Sequence, residues 1–164
     1  MKGLPLIALL MLGVMVALAY PATSQESGEI TVTADVPTYV SVVFNYNSVS
    51  FGSLPPGTID YENPGNSQGI YNVTVSSNVN LTVSVSRTPW SPHDVLILKF
   101  AHGLTPAVLT PDNAVVLTTS GITYDFPLIG QLIGEFHGYW LTVPAETPPG
   151  SYSTTVTITY TPAP

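Results

Sequence analysis

The chain contains no cysteine. That excludes disulfides, thiolate metal sites and cysteine nucleophiles, and a blue-copper centre falls with them because its cysteine ligand is missing. Charge is scarce as well. Only 8% of the 164 residues are charged, against about 25% in an ordinary globular protein. Three basic residues stand against ten acidic ones, for a formal net charge of −7. Such a surface repels phosphates and has no basic stripe, so nucleic acid is excluded as a partner. Disorder is excluded by what fills the space instead: 45% of residues are hydrophobic, set in short periodic runs that can bury a core.

The first of these runs reads as a targeting segment. Lys2 gives a positive start, Gly3–Ala19 is weakly polar to apolar, and Ala17-Leu18-Ala19 has the small-x-small form of a cleavage site. Residues 1–19 are therefore predicted to be a signal peptide, cut between Ala19 and Tyr20. Without Lys2, Arg87 and Lys99 face ten acids and the net charge is −8. Two other readings stay open. The run is near the lower limit of about 17–25 residues for an uncleaved anchor. Cleavage after Gly3, in the prepilin manner, would keep a long helix, but Pro5 and the polar Pro21–Ser24 oppose one. Cleavage before Tyr20 makes the protein secreted, extracellular or at the cell surface, and it meets membrane only through the leader. Durability without disulfides must then come from core, polymer contacts or glycans.

The rest of the chain is written in period two. At its end, Tyr152, Thr154, Val156, Ile158 and Tyr160 share one face, and Ser153, Thr155, Thr157 and Thr159 the other. Alternation of β-branched and aromatic residues marks a half-buried strand. Glu29–Val36 alternates likewise, with Ile30, Val32, Ala34 and Val36 on one face, and Pro37 stops its ladder. A second strand over Thr38–Tyr46 faces inward at Val40, Val42, Phe44 and Tyr46. Val49 and Phe51 then continue on odd positions, so a turn or bulge falls near Asn47. Asp60–Gly69 is a loop by composition. Tyr71, Val73 and Val75 face inward on the next strand and Leu81, Val83 and Val85 on the one after, with Asn78–Asn80 read as a hairpin turn between them. Val95–Phe100 is apolar on nearly both faces and reads as a buried central strand. Ala114–Thr119 is a shorter strand candidate. Pro127–Phe136 breaks the pattern: Leu128, Ile129, Leu132, Ile133 and Phe136 recur at helical spacing, so one short helix or a tight apolar loop is expected there. The fold class is all-β, an antiparallel immunoglobulin-like β-sandwich with at most one short helix, after an N-terminal signal peptide. The division is 1–19 leader, 20–37 N-terminal extension and 38–164 β-sandwich domain.

Catalytic and metal motifs are weak. Gly65-Asn66-Ser67-Gln68-Gly69 matches G-x-S-x-G, with Asp94 or Asp125 and then His137 in hydrolase order. That elbow needs a strand before the serine and a helix after it; here a Pro-Gly loop precedes and a strand follows. His93, His102 and His137 are the only histidines. Each lies beside a turn residue, which predicts solvated loop histidines and not a zinc or copper site. Asp60, Glu62 and Asn63 lack the spacing of a calcium loop. No cofactor or metal is assigned, and an enzyme is not expected. Asn72-Val73-Thr74 and Asn80-Leu81-Thr82 are glycosylation sequons, and strand parity turns Asn72 and Asn80 outward. With so few ionisable groups, stability is expected to vary little between about pH 3 and 8, unless Asp35 or Asp125 is strongly paired.

Two motifs carry a resemblance: Val49–Gly57 (VSFGSLPPG) and Val143–Tyr152 (VPAETPPGSY). With a leader and an alternating first strand before them, the chain resembles exported β-sandwich subunits of extracellular filaments. Archaeal thread and bundling-pilus subunits are similar in style; spore-coat-U-like and usher-type fimbrial subunits are similar in outline, although the usher type commonly carries a disulfide. The resemblance implies donor-strand complementation, in which a subunit completes its neighbour's sheet with an N-terminal strand. Glu29–Val36 is the segment placed to do so, and identical subunits are the implied partners. The alternative is a monomeric secreted or cell-surface binding module for carbohydrate such as surface glycans, with Trp90, Trp140 and the nine tyrosines as stacking surfaces.

Overall fold

Alternation this regular should lay down half-buried strands, and it does. The computed structural model describes residues 31–127 and 131–164. The leader, its cleavage pair Ala19 and Tyr20, Ile30, Leu128 and Ile129 lie outside the described residues. Nine strands follow in order: β1 Val40–Phe44, β2 Tyr61–Glu62, β3 Asn72–Ser77, β4 Leu81–Arg87, β5 Ile97–Gly103, β6 Val115–Val116, β7 Ile122–Phe126, β8 Gln131–Thr142 and β9 Val156–Pro162. One 3-10 turn, Pro106–Val108, is the only helical element among the described residues. No described helix is long and apolar enough to cross a membrane.

The strands form two antiparallel sheets. One runs β1-β3-β8-β5-β6, with β2 also paired to β8; the other runs β7-β4-β9. Their inner faces share one core. Val73, Val75, Leu98, Phe100, Tyr139 and Leu141 come from the first sheet, and Leu81, Val83, Val85 and Phe126 from the second. Val73 and Val75 of β3 and Leu81, Val83 and Val85 of β4 are buried as their parity predicts, each worth about 1.5–3 kcal/mol when fully covered. A smaller cluster forms on the outer face of the first sheet, where Trp140 packs with Ala101 and Leu109.

Four expectations change. Asn78–Asn80 is not a hairpin turn: β3 pairs with β1 and β8, β4 with β7 and β9, so the segment crosses from one sheet to the other. The expected helix is instead the start of β8, whose Ile133 lies opposite Val75 and Glu135 opposite Val73. Pairing with β3 overrides the helical spacing, and Gly134 lowers the helix propensity further. The central strand is β8, which has β3 and β2 along one edge and β5 along the other. In β5, Ile97 is 39% exposed while Leu98 and Phe100 are buried. Finally, Thr31–Val36 carries no strand and is exposed, so the predicted first strand is not paired within the described residues.

Candidate functional site

The two sheets are unequal, five strands in one path against three in the other. The shortfall shows beside β9, which among the described residues pairs only with β4. Thr155 O accepts from Thr88 N, and Ser153 exchanges both backbone bonds with Ser91. The odd-numbered backbone groups of Ser153–Thr159 therefore point at β4 and its extension. By antiparallel alternation the even-numbered groups point the other way. At Tyr152, Thr154, Val156 and Ile158 they face a groove of about 1160 Å³.

The groove is apolar at its base. Leu98, Tyr139, Leu141 and Val143 line it from the first sheet, and Trp90 and Leu96 from the segment before β5. Val156 and Ile158 turn their side chains to the same core. The opposite wall is the chain between Phe44 and Leu54, where Val49 and Phe51 pack on the core as predicted, joined by Leu54. This wall is tied down from behind. Asn63 Nδ2 donates to Ser50 O at 2.7 Å, Gly57 N donates to Val143 O at 2.8 Å, and Val143 N to Thr58 O at 2.8 Å. Gly57 has φ +86°, a left-handed turn that glycine adopts without Cβ cost.

A buried polar network joins both walls to β8. Glu135 is fully buried. Its carboxylate accepts from Tyr124 Oη at 2.8 Å and Tyr160 Oη at 2.5 Å, and His102 Nδ1 lies 3.1 Å away. His137 Nε2 is 3.6 Å from it, too far for a hydrogen bond, and has no other partner. Tyr46, on the groove wall, places its hydroxyl 2.5 Å from His137 Nδ1 and 2.7 Å from Tyr139 Oη. Burial pushes the Glu135 carboxyl up, but hydrogen bonds from His102 and Tyr160, with the His137 ring close by, outweigh it and hold the carboxyl at about 2. Burial, then the negative charge of Glu135, raises the Tyr124 and Tyr160 phenols above their usual range, so both remain donors.

The expected sites distribute as follows. Val32, Ala34 and Val36 are exposed, with Val32 86% and Val36 79% accessible. Asn80 is exposed at the inter-sheet crossing. Asn72 is half-buried, donating to Gly69 O at 3.1 Å and accepting from Asn45 Nδ2. The hydrolase triad is not assembled: Ser67 donates to Pro64 O, Asp94 pairs with Arg87 at 2.7 Å, Asp125 is exposed on β7 and His137 is buried. The loop around Ser67 is a plug. Its Asn66 donates to Tyr139 O at 2.9 Å and accepts from Tyr139 N at 3.0 Å, standing in for a strand between β2 and β3.

The solvated-histidine expectation holds for His93, which is exposed, and fails for the other two. His102 and His137 are cross-strand partners on β5 and β8, facing Glu135. Of the calcium candidates, Asp60 pairs with Lys99 at 2.6 Å, Glu62 is exposed, and Asn63 is buried against Tyr71. Among the described residues no three His, Cys, Asp or Glu side chains are grouped to hold a metal ion. Both tryptophans are buried, Trp90 to 8% and Trp140 to 1% exposure, so neither offers a sugar-stacking face. Glu135 went unread. Extending the inward parity of Tyr139 back through β8 would have placed His137 and Glu135 on the core face. No protein-family model, curated protein or solved structure matches the chain.

Proposed function

We propose that the chain is a structural subunit of a secreted surface filament, an immunoglobulin-like β-sandwich that is completed by a strand from an identical neighbour. The observation that carries this reading is the open β9 edge above an apolar groove, in a chain whose Glu29–Val36 alternates like a strand. The described part, Thr31–Val36, has no strand partner among the described residues. Strand addition of this kind joins main-chain hydrogen bonds to alternate side-chain pockets. It also covers an edge that would otherwise template indiscriminate pairing. The absence of cysteine fits, since each junction would hold without a disulfide. Signal-peptide cleavage before Tyr20 supplies the export route in this reading.

The test removes the donor. Residues 38–164 are expected to remain unassembled where the mature chain polymerises. A synthetic peptide of residues 20–37 is expected to bind them and raise their melting temperature, by roughly 2–8 °C for each 1 kcal/mol gained. Electron microscopy of the mature protein reports filaments directly. A mature chain that stays monomeric, with Thr31–Val36 protected from hydrogen exchange, would favour the monomeric binding module.

A further inference from the structure

We propose that the groove beside β9 receives Glu29–Val36 of a second copy antiparallel to β9, with Ile30 opposite Ile158, Val32 opposite Val156, Ala34 opposite Thr154 and Val36 opposite Tyr152. The inference rests on the filament reading and adds to it the direction and register of the junction. Three features select this arrangement.

First, the even-numbered residues of β9 that line the groove do two things at once. Val156 and Ile158 turn their side chains to the core, and their backbone groups point to the free edge. In an antiparallel ladder, directly opposed residues that exchange hydrogen bonds also place their side chains on one face. The incoming strand must therefore use a single parity for both bonding and burial. The even positions Ile30, Val32, Ala34 and Val36 supply it. Second, Pro37 has odd parity. Lacking an N–H, it sits without loss at a position facing away from β9, whereas a parallel strand would need the odd residues to bond. Third, the aliphatic positions match. Of the even positions that line the groove, only Val156 and Ile158 belong to β9, and a shift of two residues in either direction takes Ile30 or Val32 off that pair. The matched register also sets Ile30 and Val32 against the aliphatic Ile158 and Val156, and the small Ala34 against Thr154.

The absence of native cysteine makes disulfide mapping clean. Outward positions on both partners are exposed: Thr31 and Asp35 on the donor, Ser153 and Thr157 beside the groove. The proposed register puts Asp35 opposite Ser153 and Thr31 opposite Thr157. Such pairs fall within the Cα range of about 4.4–6.8 Å that a disulfide spans. Full-length mature D35C is mixed with S153C, and T31C with T157C, under mild oxidation. The swapped mixtures, D35C with T157C and T31C with S153C, stand about 14 Å out of register. The matched mixtures are expected to give about tenfold more heterodimer than the swapped ones. Cross-linking in the swapped mixtures instead overturns the antiparallel direction and leaves the filament reading intact. Light scattering on the same samples separates the remaining outcomes. Assembly without either cross-link overturns the β9 groove as the junction, though not assembly itself; absence of assembly overturns both. An intrachain disulfide formed by D35C/S153C in a monomer would mean that the chain's own segment fills the groove, and would overturn the second copy as occupant.

Discussion

Replacing Glu135 with alanine is expected to lower folding stability by about 3–5 kcal/mol, the range for breaking a buried charged group from its partners. The carboxylate is fully buried and collects hydroxyls from both strands at the margins of the second sheet, Tyr124 on β7 and Tyr160 on β9. Truncation leaves both hydroxyls unpaired in the core, at about 1–3 kcal/mol each when no water replaces the acceptor. It also leaves a cavity whose lining relaxes only in part. Glu135→Gln keeps one acceptor oxygen and nearly the same volume, so its cost should be smaller, about 1–3 kcal/mol. Urea denaturation of the two variants beside the parent chain measures the order. A loss below about 1 kcal/mol for the alanine variant would mean that the network does not brace the sheets. Because Tyr46 and Tyr160 tie the two groove walls to β8, the same variant should also weaken binding of the residue 20–37 peptide.

Acid is expected to have the second large effect, beginning inside the window of about pH 3 to 8 over which composition suggested little change. The Glu135 carboxyl is held at about 2 in the fold against an ordinary value of 4.5. A depressed carboxylate contributes stability that is fully present above its unfolded value and lost as pH falls through the folded one. Stability should therefore be nearly flat from about pH 5 to 8 and fall from about 4.5 to about 2, by an amount on the order of 3 kcal/mol from Glu135. Asp60, hydrogen-bonded to Lys99, and Asp94, bonded to Trp90 N and Arg87, are shifted the same way and add to the same limb. The paired carboxylates are thus not Asp35 and Asp125, both of which are exposed. Urea midpoints across pH 2–8 test this, and in Glu135→Gln the acid limb should be shallower. An unchanged limb in that variant would assign the acid loss to other carboxylates.

The all-β class was legible because it rests on local parity. Tyr71, Val73 and Val75, then Leu81, Val83 and Val85, alternate with polar neighbours, and each is buried where parity puts it. Parity fixes the face of a strand and says nothing of its neighbours. So β3 and β4, consecutive and similar, read as a hairpin, yet they belong to opposite sheets. The start of β8 read as a short helix or a tight loop because its spacing fits period 3.6, and only pairing with β3 makes it a strand.

Chemistry divided in the same way. Composition excluded thiol chemistry without reference to shape, since a missing residue type is missing in any fold. The alternation of Ile30, Val32, Ala34 and Val36 ahead of Pro37 was readable because it is local, as it must be in a segment proposed to pair with another molecule. The groove was not readable. It is a shortfall between five strands and three, lined from segments as distant as Phe44 and Ile158. The Glu135 network was equally hidden. Its partners come from β5, β7, β8 and β9, and a lone glutamate reads as a solvated one until tertiary packing removes its water and supplies donors in place.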